Sequence, residues 1–190
     1  MDPKEAIREH EYGMVYDDAA SNWGHRDNIL APQHQFVNIG IAFTETRLAM
    51  AQHFEDLYIR FTQPPTLRAG TLSLTGSLDS RAGKLQAIDI YYDPLPKTLS
   101  HQELLAQPRY YSIGESDKPT AHIIPPPPSG QYYVGLGPEA VVAQTWSASS
   151  STFSVAGDLT RLISKPGVYT VLVWAHGFKA PLTTISLFLG

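Results

Sequence analysis

Residues 66–190 are dominated by short segments in which apolar and polar side chains alternate, and this period of two constrains the fold more than any other feature. Residues 71–78 read Thr-Leu-Ser-Leu-Thr-Gly-Ser-Leu, and residues 167–175 are apolar on both faces. The chain holds 15 Pro and 14 Gly, many of which separate these segments at short intervals. Alternation with closely spaced breakers predicts a mostly antiparallel, immunoglobulin-like β-sandwich over residues 63–190.

Within this sandwich, residues 168–174 predict a central strand that is covered on both sides, with Trp174 buried. Ser100 and Glu103 have the spacing of a capping box, which predicts a short helix over residues 100–107. Further strands are expected at residues 85–92, 109–113, 131–136, 141–147, 152–155 and 182–189.

The amino-terminal third of the chain has a different pattern, which predicts a helix followed by two strands. Asp2 suits the N-cap and Pro3 the first turn of a helix over residues 3–18. The apolar and β-branched residues that follow predict strands at 36–44 and 47–61.

The boundary between these two patterns is expected at Pro64-Pro65, because Pro cannot donate to a strand ladder. This places a first unit at residues 1–62 and a second unit at residues 63–190. The predicted fold class is therefore α+β, and mainly β overall.

Composition excludes several classes of function. The net charge is −4 with a pI near 5.9, which argues against a nucleic-acid or anionic-membrane partner, since both need a basic face. No apolar run approaches the roughly 18 residues of a membrane span, and the polar residues 1–20 show no signal peptide. The chain has no Cys, which excludes disulfides, thiolate chemistry and Cys-based metal sites.

Three blocks of sequence follow the predicted helix. The first is Gly24-His25-Arg26-Asp27-Asn28-Ile29-Leu30, the second Val37-Asn38-Ile39-Gly40-Ile41-Ala42, and the third Ala49-Met50-Ala51-Gln52-His53-Phe54. In order and spacing, these blocks resemble the second half of a prokaryotic CAP domain (cysteine-rich secretory, antigen 5, pathogenesis-related; also called SCP). The resemblance implies part of an α-β-α sandwich over residues 1–62. Residues 63–190 resemble the β-sandwich tail of some secreted CAP proteins.

The CAP resemblance also implies a cleft. In that family two His and two acidic residues line it, and some members bind a divalent metal there; His25 corresponds to one of those His. The family motifs for the second His and for one acid, His-Asn-x-x-Arg and Gly-Glu-Asn, do not occur in this sequence. We therefore expect either a shortened version whose remaining ligands precede Met1 or an offshoot without the cleft. Zinc or another divalent metal is expected only with a complete cleft, because a stable zinc site needs three or four ligands.

His25 is thus the cleft candidate and the metal-ligand candidate, and no residue is predicted to be catalytic. A lone His near a helix end is usually a hydrogen-bonded structural residue, and we expect Asp17, Asp18 or a backbone carbonyl as its partner. The Asp17-Asp18 pair near a helix end predicts a solvated turn, although Asp18 and Asn22 could instead cap or orient the Gly24-His25-Arg26 turn. The residues proposed to support His25 are Asp18, Asn22, Arg26 and Asn28.

Two neighbouring groups of charges have ordinary interpretations. Arg26 and Asp27 predict a salt-bridged turn beside the candidate. His10, Glu9 and Glu11 are adjacent in sequence, but neighbours on a helix point in different directions. They would form a metal site only by joining His25.

The best functional interpretation is a secreted or cell-surface CAP-like binding or structural module that is not catalytic as given. The alternative is a metal-assisted hydrolase that uses a CAP cleft. Extracellular protein, lipid and polysaccharide are all open as ligands. Recurring Tyr-Tyr pairs at 91–92, 110–111 and 132–133 predict either strand packing or an aromatic surface for sugar or polymer contact. The sheet of residues 36–61 is expected to leave an apolar face that drives self-association or is covered by the sandwich.

Overall fold

The computed structural model describes residues 2–107, 113–149 and 151–190. It is mainly β, with 40% strand and 17% helix, which confirms the predicted fold class. The chain forms two compact units, Met1–Leu57 and Tyr58–Gly190. The predicted boundary between residues 62 and 63 lies a few residues after the observed one. The observed boundary comes earlier because the segment at 59–61 pairs with a strand of the second unit.

The first unit contains two α-helices, a one-turn 3-10 helix at Ala19–Ser21 and one hairpin. Its elements are α1 (Pro3–Tyr16), α2 (Gly24–Ile29), β1 (Phe36–Phe43) and β2 (Leu48–Glu55). The Asp2 side chain accepts a hydrogen bond from the Lys4 N–H at 3.0 Å, and Pro3 occupies the first turn, as predicted. The helix ends at Tyr16, slightly before the predicted residue 18.

Strands β1 and β2 form an antiparallel two-stranded sheet in which Gly40 lies opposite Ala51. The prediction of one continuous strand over residues 47–61 is wrong. Strand β2 ends at Glu55, and the chain resumes extended structure only at Ile59. The pairing partner changes between them, from β1 in the first unit to a strand of the second unit.

The second unit consists of two five-stranded sheets. Its strands are β3 (Ile59–Phe61), β4 (Thr66–Arg68), β5 (Thr71–Leu78), β6 (Leu85–Asp93), β7 (Ala121–Ile124), β8 (Ala140–Val142), β9 (Thr145–Ala148), β10 (Thr152–Asp158), β11 (Gly167–Ala175) and β12 (Thr183–Leu189), with a short helix α3 (His101–Leu105) after β6. One sheet has the order β3-β5-β10-β9, with β4 also paired to β5, and the other has the order β12-β11-β6-β7-β8. The predicted antiparallel arrangement holds except at β7 and β8, which are parallel.

The two sheets bury one apolar core between them. Leu72 and Leu74 of β5 and Val171 of β11 are fully buried members of the same cluster. A Cβ on Gly157 of β10 would lie 2.8 Å from the Ile123 side chain of β7, so the two sheets pack closely. Alternation in β5 thus predicts the buried face of the sandwich correctly.

The expectation that Trp174 is a buried aromatic is wrong. In β11 the core takes Tyr169, Val171 and Val173, and alternation places Trp174 on the opposite face, where it is half-buried. Leu172, also on that outer face, is only 2% exposed, so the strand is covered on both sides at that point.

Other local predictions have mixed outcomes. The capping box of Ser100 and Glu103 is present at α3. The strand predicted at 141–147 is divided between β8 and β9, which belong to different sheets. No strand forms at 131–136, where Gly130 and Gly135 have positive φ and Tyr132 is 82% exposed. The strand predicted at 109–113 and the Tyr pair at 110–111 fall largely or wholly outside the described residues.

Candidate functional site

The structure brings Asp18 and His25 together at the turn between α1 and α2. The His25 ring Nδ1 lies 2.7 Å from one carboxylate oxygen of Asp18, which confirms the predicted local hydrogen bond. The other carboxylate oxygen accepts the backbone N–H groups of His25, at 2.8 Å, and of Arg26, at 3.1 Å. The Asp18 side chain therefore satisfies two of the free N–H groups in the first turn of α2.

The turn that makes this contact depends on an unusual backbone. Asn22 and Trp23 both have positive φ, at 52° and 63°, and they reverse the chain so that α2 starts beside Asp18. Asn22 supports the site through its backbone, since its N–H donates to the Ala19 carbonyl. The left-handed conformation of Asn22 thus contributes to the reversal of the chain at this turn.

Asp18 is the only buried charged residue in the described part of the chain, at 4% exposure. The prediction of a solvated turn is therefore wrong for this residue. The hydrogen bond from the His25 ring lowers the pKa of Asp18, and the two backbone N–H groups add to this effect against the opposing effect of burial. Asp18 is an acceptor at neutral pH, so the His25 proton in the neutral ring lies on Nδ1.

In that neutral ring, the Nε2 atom of His25 is the hydrogen-bond acceptor. The His25 side chain is 55% exposed, while the Asp18 side chain behind it is 4% exposed. A buried carboxylate that fixes the tautomer of an exposed imidazole gives the site one directed lone pair. Such a group can accept a hydrogen bond, remove a proton or contribute one ligand to a metal.

Arg26 does not form the predicted salt-bridged turn with Asp27. Its guanidinium donates to the Val15 carbonyl at 3.2 Å and lies 5.5 Å from the centre of the Trp23 ring. A cation at the carboxyl end of α1 is favourable because the helix dipole is negative there. Arg26 thus fixes α1 against the turn that holds His25.

His25 lies at the edge of a small groove between the two helices and β2. The lining residues are Met14, His25, Asn28, Ile29, Met50, Gln52 and Phe54. The groove holds about 120 Å³, somewhat less than the roughly 150 Å³ cavity that accommodates benzene. It therefore fits a segment of an apolar chain or one apolar side chain, with the polar groups at its margin.

Two further contacts shape this groove, and sequence reasoning missed both. His34 stacks on Phe54 with ring centres 4.9 Å apart, and its two ring nitrogens lie 2.5 Å from Asp56 and 3.3 Å from Asn28. Gln52 donates a hydrogen bond to Glu11 of α1. The predicted supporting residue Asn28 therefore lines the groove and is held by His34.

The floor of the groove continues into an exposed apolar stripe on β1. Met50, Gln52 and Phe54 lie opposite Ile41, Ile39 and Val37, so these six side chains share one face of the hairpin. The stripe residues of β1 are 46% to 55% exposed at Val37, Ile39 and Ile41.

A larger cavity in the first unit lies away from His25. It is lined by Asp2, Glu5, Ala6, Glu9, His10, Thr46, Arg47 and Leu48. Glu9 and His10 thus do not join His25, and neither does Glu11, which bonds Gln52. We favour the smaller groove as the functional site, because only there does a buried carboxylate orient a functional side chain.

The residues present do not fit a metal centre. The described ranges contain no group of three or more His, Asp or Glu placed to hold a metal ion. His25 offers one nitrogen, and its neighbouring carboxylate is already engaged by three N–H groups. A zinc site needs three or four ligands, which is more than this part of the described structure offers.

Among the helices of the described residues, none has the length and apolar character needed to cross a membrane. No family model, curated protein or solved structure matches this chain.

Proposed function

We propose that this chain is a CAP-like binding module without catalytic activity of its own, which acts outside the cell or at the cell surface. The observation that carries the proposal is the Asp18–His25 pair at the margin of an apolar groove. The sequence resemblance to the CAP family supports the extracellular location and places His25 at the functional surface.

Among the ligand classes left open by the sequence, a lipid suits this site best. Met14, Ile29, Met50 and Phe54 supply an apolar lining, and the two flexible methionines adapt to a chain of irregular shape. The groove holds only a segment of such a chain, and the stripe on β1 extends the apolar surface beside it. The His25 ring then hydrogen-bonds the head group: Nε2 of the neutral ring accepts from a hydroxyl, and Nε2–H of the protonated ring donates to a carboxylate.

A polysaccharide ligand has less support. Phe54 is the only aromatic residue lining the groove apart from the His25 ring. Of the Tyr pairs considered for sugar contact, Tyr92 packs against Tyr169 in the second unit, and Tyr133 is tied to the Pro125 carbonyl at 2.9 Å. An exposed row of aromatic side chains, which sugars favour, is not formed by these residues.

The proposal is tested with a fluorescent polyene fatty acid, cis-parinarate, titrated into the full chain. We expect saturable binding that is unchanged by a chelator. Met50→Lys places a charge in the groove and is expected to weaken binding about tenfold or more, a loss of about 1.4 kcal/mol. Ala51→Lys, on the exposed opposite face of β2, adds the same charge and is the matched control.

The contribution of His25 is tested in the same titration. His25→Ala is expected to weaken binding, while His53→Ala is expected to leave it unchanged, because His53 lies on the face of β2 away from the groove. Equal effects of the paired variants, or no binding by the parent chain, would contradict the proposal. Ester hydrolysis that requires zinc and His25 would instead favour the hydrolase alternative.

A further inference from the structure

The outer edge of β1 is open in the described part of the chain, because β1 pairs only with β2. The N–H of Thr44 donates to the Arg47 carbonyl at 2.8 Å, which closes the hairpin. Hydrogen bonding alternates along an antiparallel strand, so the even-numbered residues of β1 face β2. The N–H and C=O groups of Val37, Ile39, Ile41 and Phe43 therefore point away from the hairpin.

This edge has none of the features that normally protect an edge strand. From Phe36 to Phe43 there is no charged residue, no Pro and no bulge. Native edge strands are usually blunted by Lys, Pro or bulges, since an open ladder recruits another strand. The same residues that present the free N–H groups also carry the exposed apolar stripe, with Phe43 62% exposed.

Nothing in the described part of the chain requires a glycine at position 40, in the middle of β1. A Cβ at Gly40 would have no atom within 4 Å, and φ is not in the left-handed region. A glycine in a strand weakens it and often marks close approach by another backbone. No such approach to Gly40 exists in the described residues.

From these features we propose that two copies of the chain pair through the β1 edges, antiparallel, about a two-fold axis beside Gly40. The inference does not depend on the proposed function. In this register Ile39 lies opposite Ile41 of the second copy, and Val37 lies opposite its Phe43. All four residues with outward N–H groups then form hydrogen-bonded pairs, and Gly40 faces Gly40 at a closely spaced position.

The register is self-complementary in two further respects. Residues of odd number meet residues of odd number, so the apolar stripes of both copies lie on the same face of a four-stranded sheet. No like charges are opposed, since Gln35 lies opposite Glu45 of the second copy. The partner that best fits the β1 edge is therefore the β1 edge of a second copy of the chain.

The size of the contact predicts a weak dimer. Eight residues span about 27 Å, and a sheet about 10 Å thick gives a cross-section of roughly 270 Å² for each copy. A standard stable interface buries about 800 Å² for each partner. We therefore expect a reversible dimer with a Kd on the order of 100 μM to 1 mM.

Charge distinguishes this dimer from a head-to-tail alternative. Residues 1–57 carry four Lys or Arg against ten Asp or Glu, a net charge of −6, and residues 58–190 carry ten against eight, a net charge of +2. Pairing two acidic units is opposed by repulsion that salt screens, so dimerisation strengthens as salt is raised. Docking of the acidic unit on the basic unit of another copy would weaken with salt.

Sedimentation equilibrium of the full chain across protein and salt concentrations tests the proposal. Gly40→Lys leaves the monomer intact, because its side chain enters open space, but it opposes two like charges in the dimer. We expect association about tenfold weaker. Ala51→Lys, directly opposite Gly40 on β2 and one strand further from the axis, is the matched control and is expected to associate like the parent.

The decisive step is to mix Gly40→Lys with Gly40→Glu. The two-fold axis places residue 40 against residue 40, so the mixture is expected to recover association while each variant alone does not. Circular-dichroism melting of each variant confirms that it is folded. A monomeric parent at millimolar concentration, association that falls with salt, unaltered association of Gly40→Lys, or no recovery in the mixture would each overturn the proposal.

Discussion

Asp18 and His25 are joined twice, once through the ring Nδ1 of His25 and once through its backbone N–H, with distances of 2.7 Å and 2.8 Å. One buried carboxylate therefore accepts hydrogen bonds from the first turn of α2 and also sets the tautomer of the imidazole that borders the groove. Helix geometry and the chemistry of the site depend on the same side chain.

The first prediction concerns pH. The pKa of Asp18 is lower in the folded chain than its ordinary value of 3.8, so the unfolded state takes up a proton first as pH falls. The stabilisation by Asp18 is fully present above about pH 5 and is lost as pH falls through the folded-state pKa. Amide resonances of His25 and Arg26 are expected to titrate together, with a midpoint below 3.8.

Asp18→Asn is expected to remove this dependence from the first unit, whereas Asp17→Asn keeps it, because Asp17 is exposed at the end of α1. A midpoint at or above the ordinary value, or an unchanged profile in Asp18→Asn, would show that Asp18 does not hold the turn.

The second prediction contrasts two strand glycines. A Cβ on Gly76 would lie 2.4 Å from the Arg60 carbonyl oxygen and 2.8 Å from the Phe153 ring, whereas a Cβ on Gly40 would meet nothing. Gly76→Ala is expected to destabilise the second unit by about 1–3 kcal/mol through overpacking. Gly40→Ala is expected to leave the stability of the first unit unchanged or slightly raised. Denaturant unfolding measures both, and similar losses for the two variants would contradict the strand assignments.

The third prediction concerns Trp174, whose Nε1 is buried without a hydrogen-bond partner. Removing an unpaired buried N–H offsets the loss of ring area, so Trp174→Phe is expected to lie within about 1 kcal/mol of the parent. Trp174→Ala is expected to cost less than the roughly 3–5 kcal/mol of a fully buried aromatic. If Trp174→Phe were as destabilising as Trp174→Ala, the indole N–H would have a partner.

The fourth prediction concerns zinc. One imidazole nitrogen without further ligands cannot hold zinc tightly, so calorimetric titration of the full chain is expected to give a Kd no better than about 1 mM. Micromolar binding that is lost in His25→Ala would show that other residues complete a metal site, and the hydrolase alternative would then replace the binding module.

The sequence predicts features whose partners are close along the chain. Alternation in β5 identifies Leu72 and Leu74 as core residues, and the short separation of Asp18 from His25 makes their contact accessible to local reasoning. The burial of Asp18 could not be predicted in this way. Both Asp17 and Asp18 are polar, and Asp18 is buried only because α2 folds back over α1.

Features that depend on distant segments could not be predicted in the same way. His34 and Asp56, 22 positions apart, meet only once the β1–β2 hairpin forms. Gln52 and Glu11, 41 positions apart, meet only once that hairpin packs on α1. The apolar spacing at 131–136 resembles a strand, but Gly135, with positive φ, diverts the chain into a loop. Periodicity does not reveal which residues will lack a pairing partner.

The central claim is that the groove beside His25 binds an apolar chain. Met14 and Met50 both line it, so ¹³C-methyl methionine spectra of the full chain, assigned with Met14→Leu and Met50→Leu, report on it directly. On titration with a saturated fatty acid, we predict that both methyl resonances shift with the same saturation curve, and that Met50 no longer responds in His25→Ala at the same ligand concentration. Two results would contradict this claim: methyl resonances that stay fixed although the fatty acid binds, or no binding of the fatty acid at all.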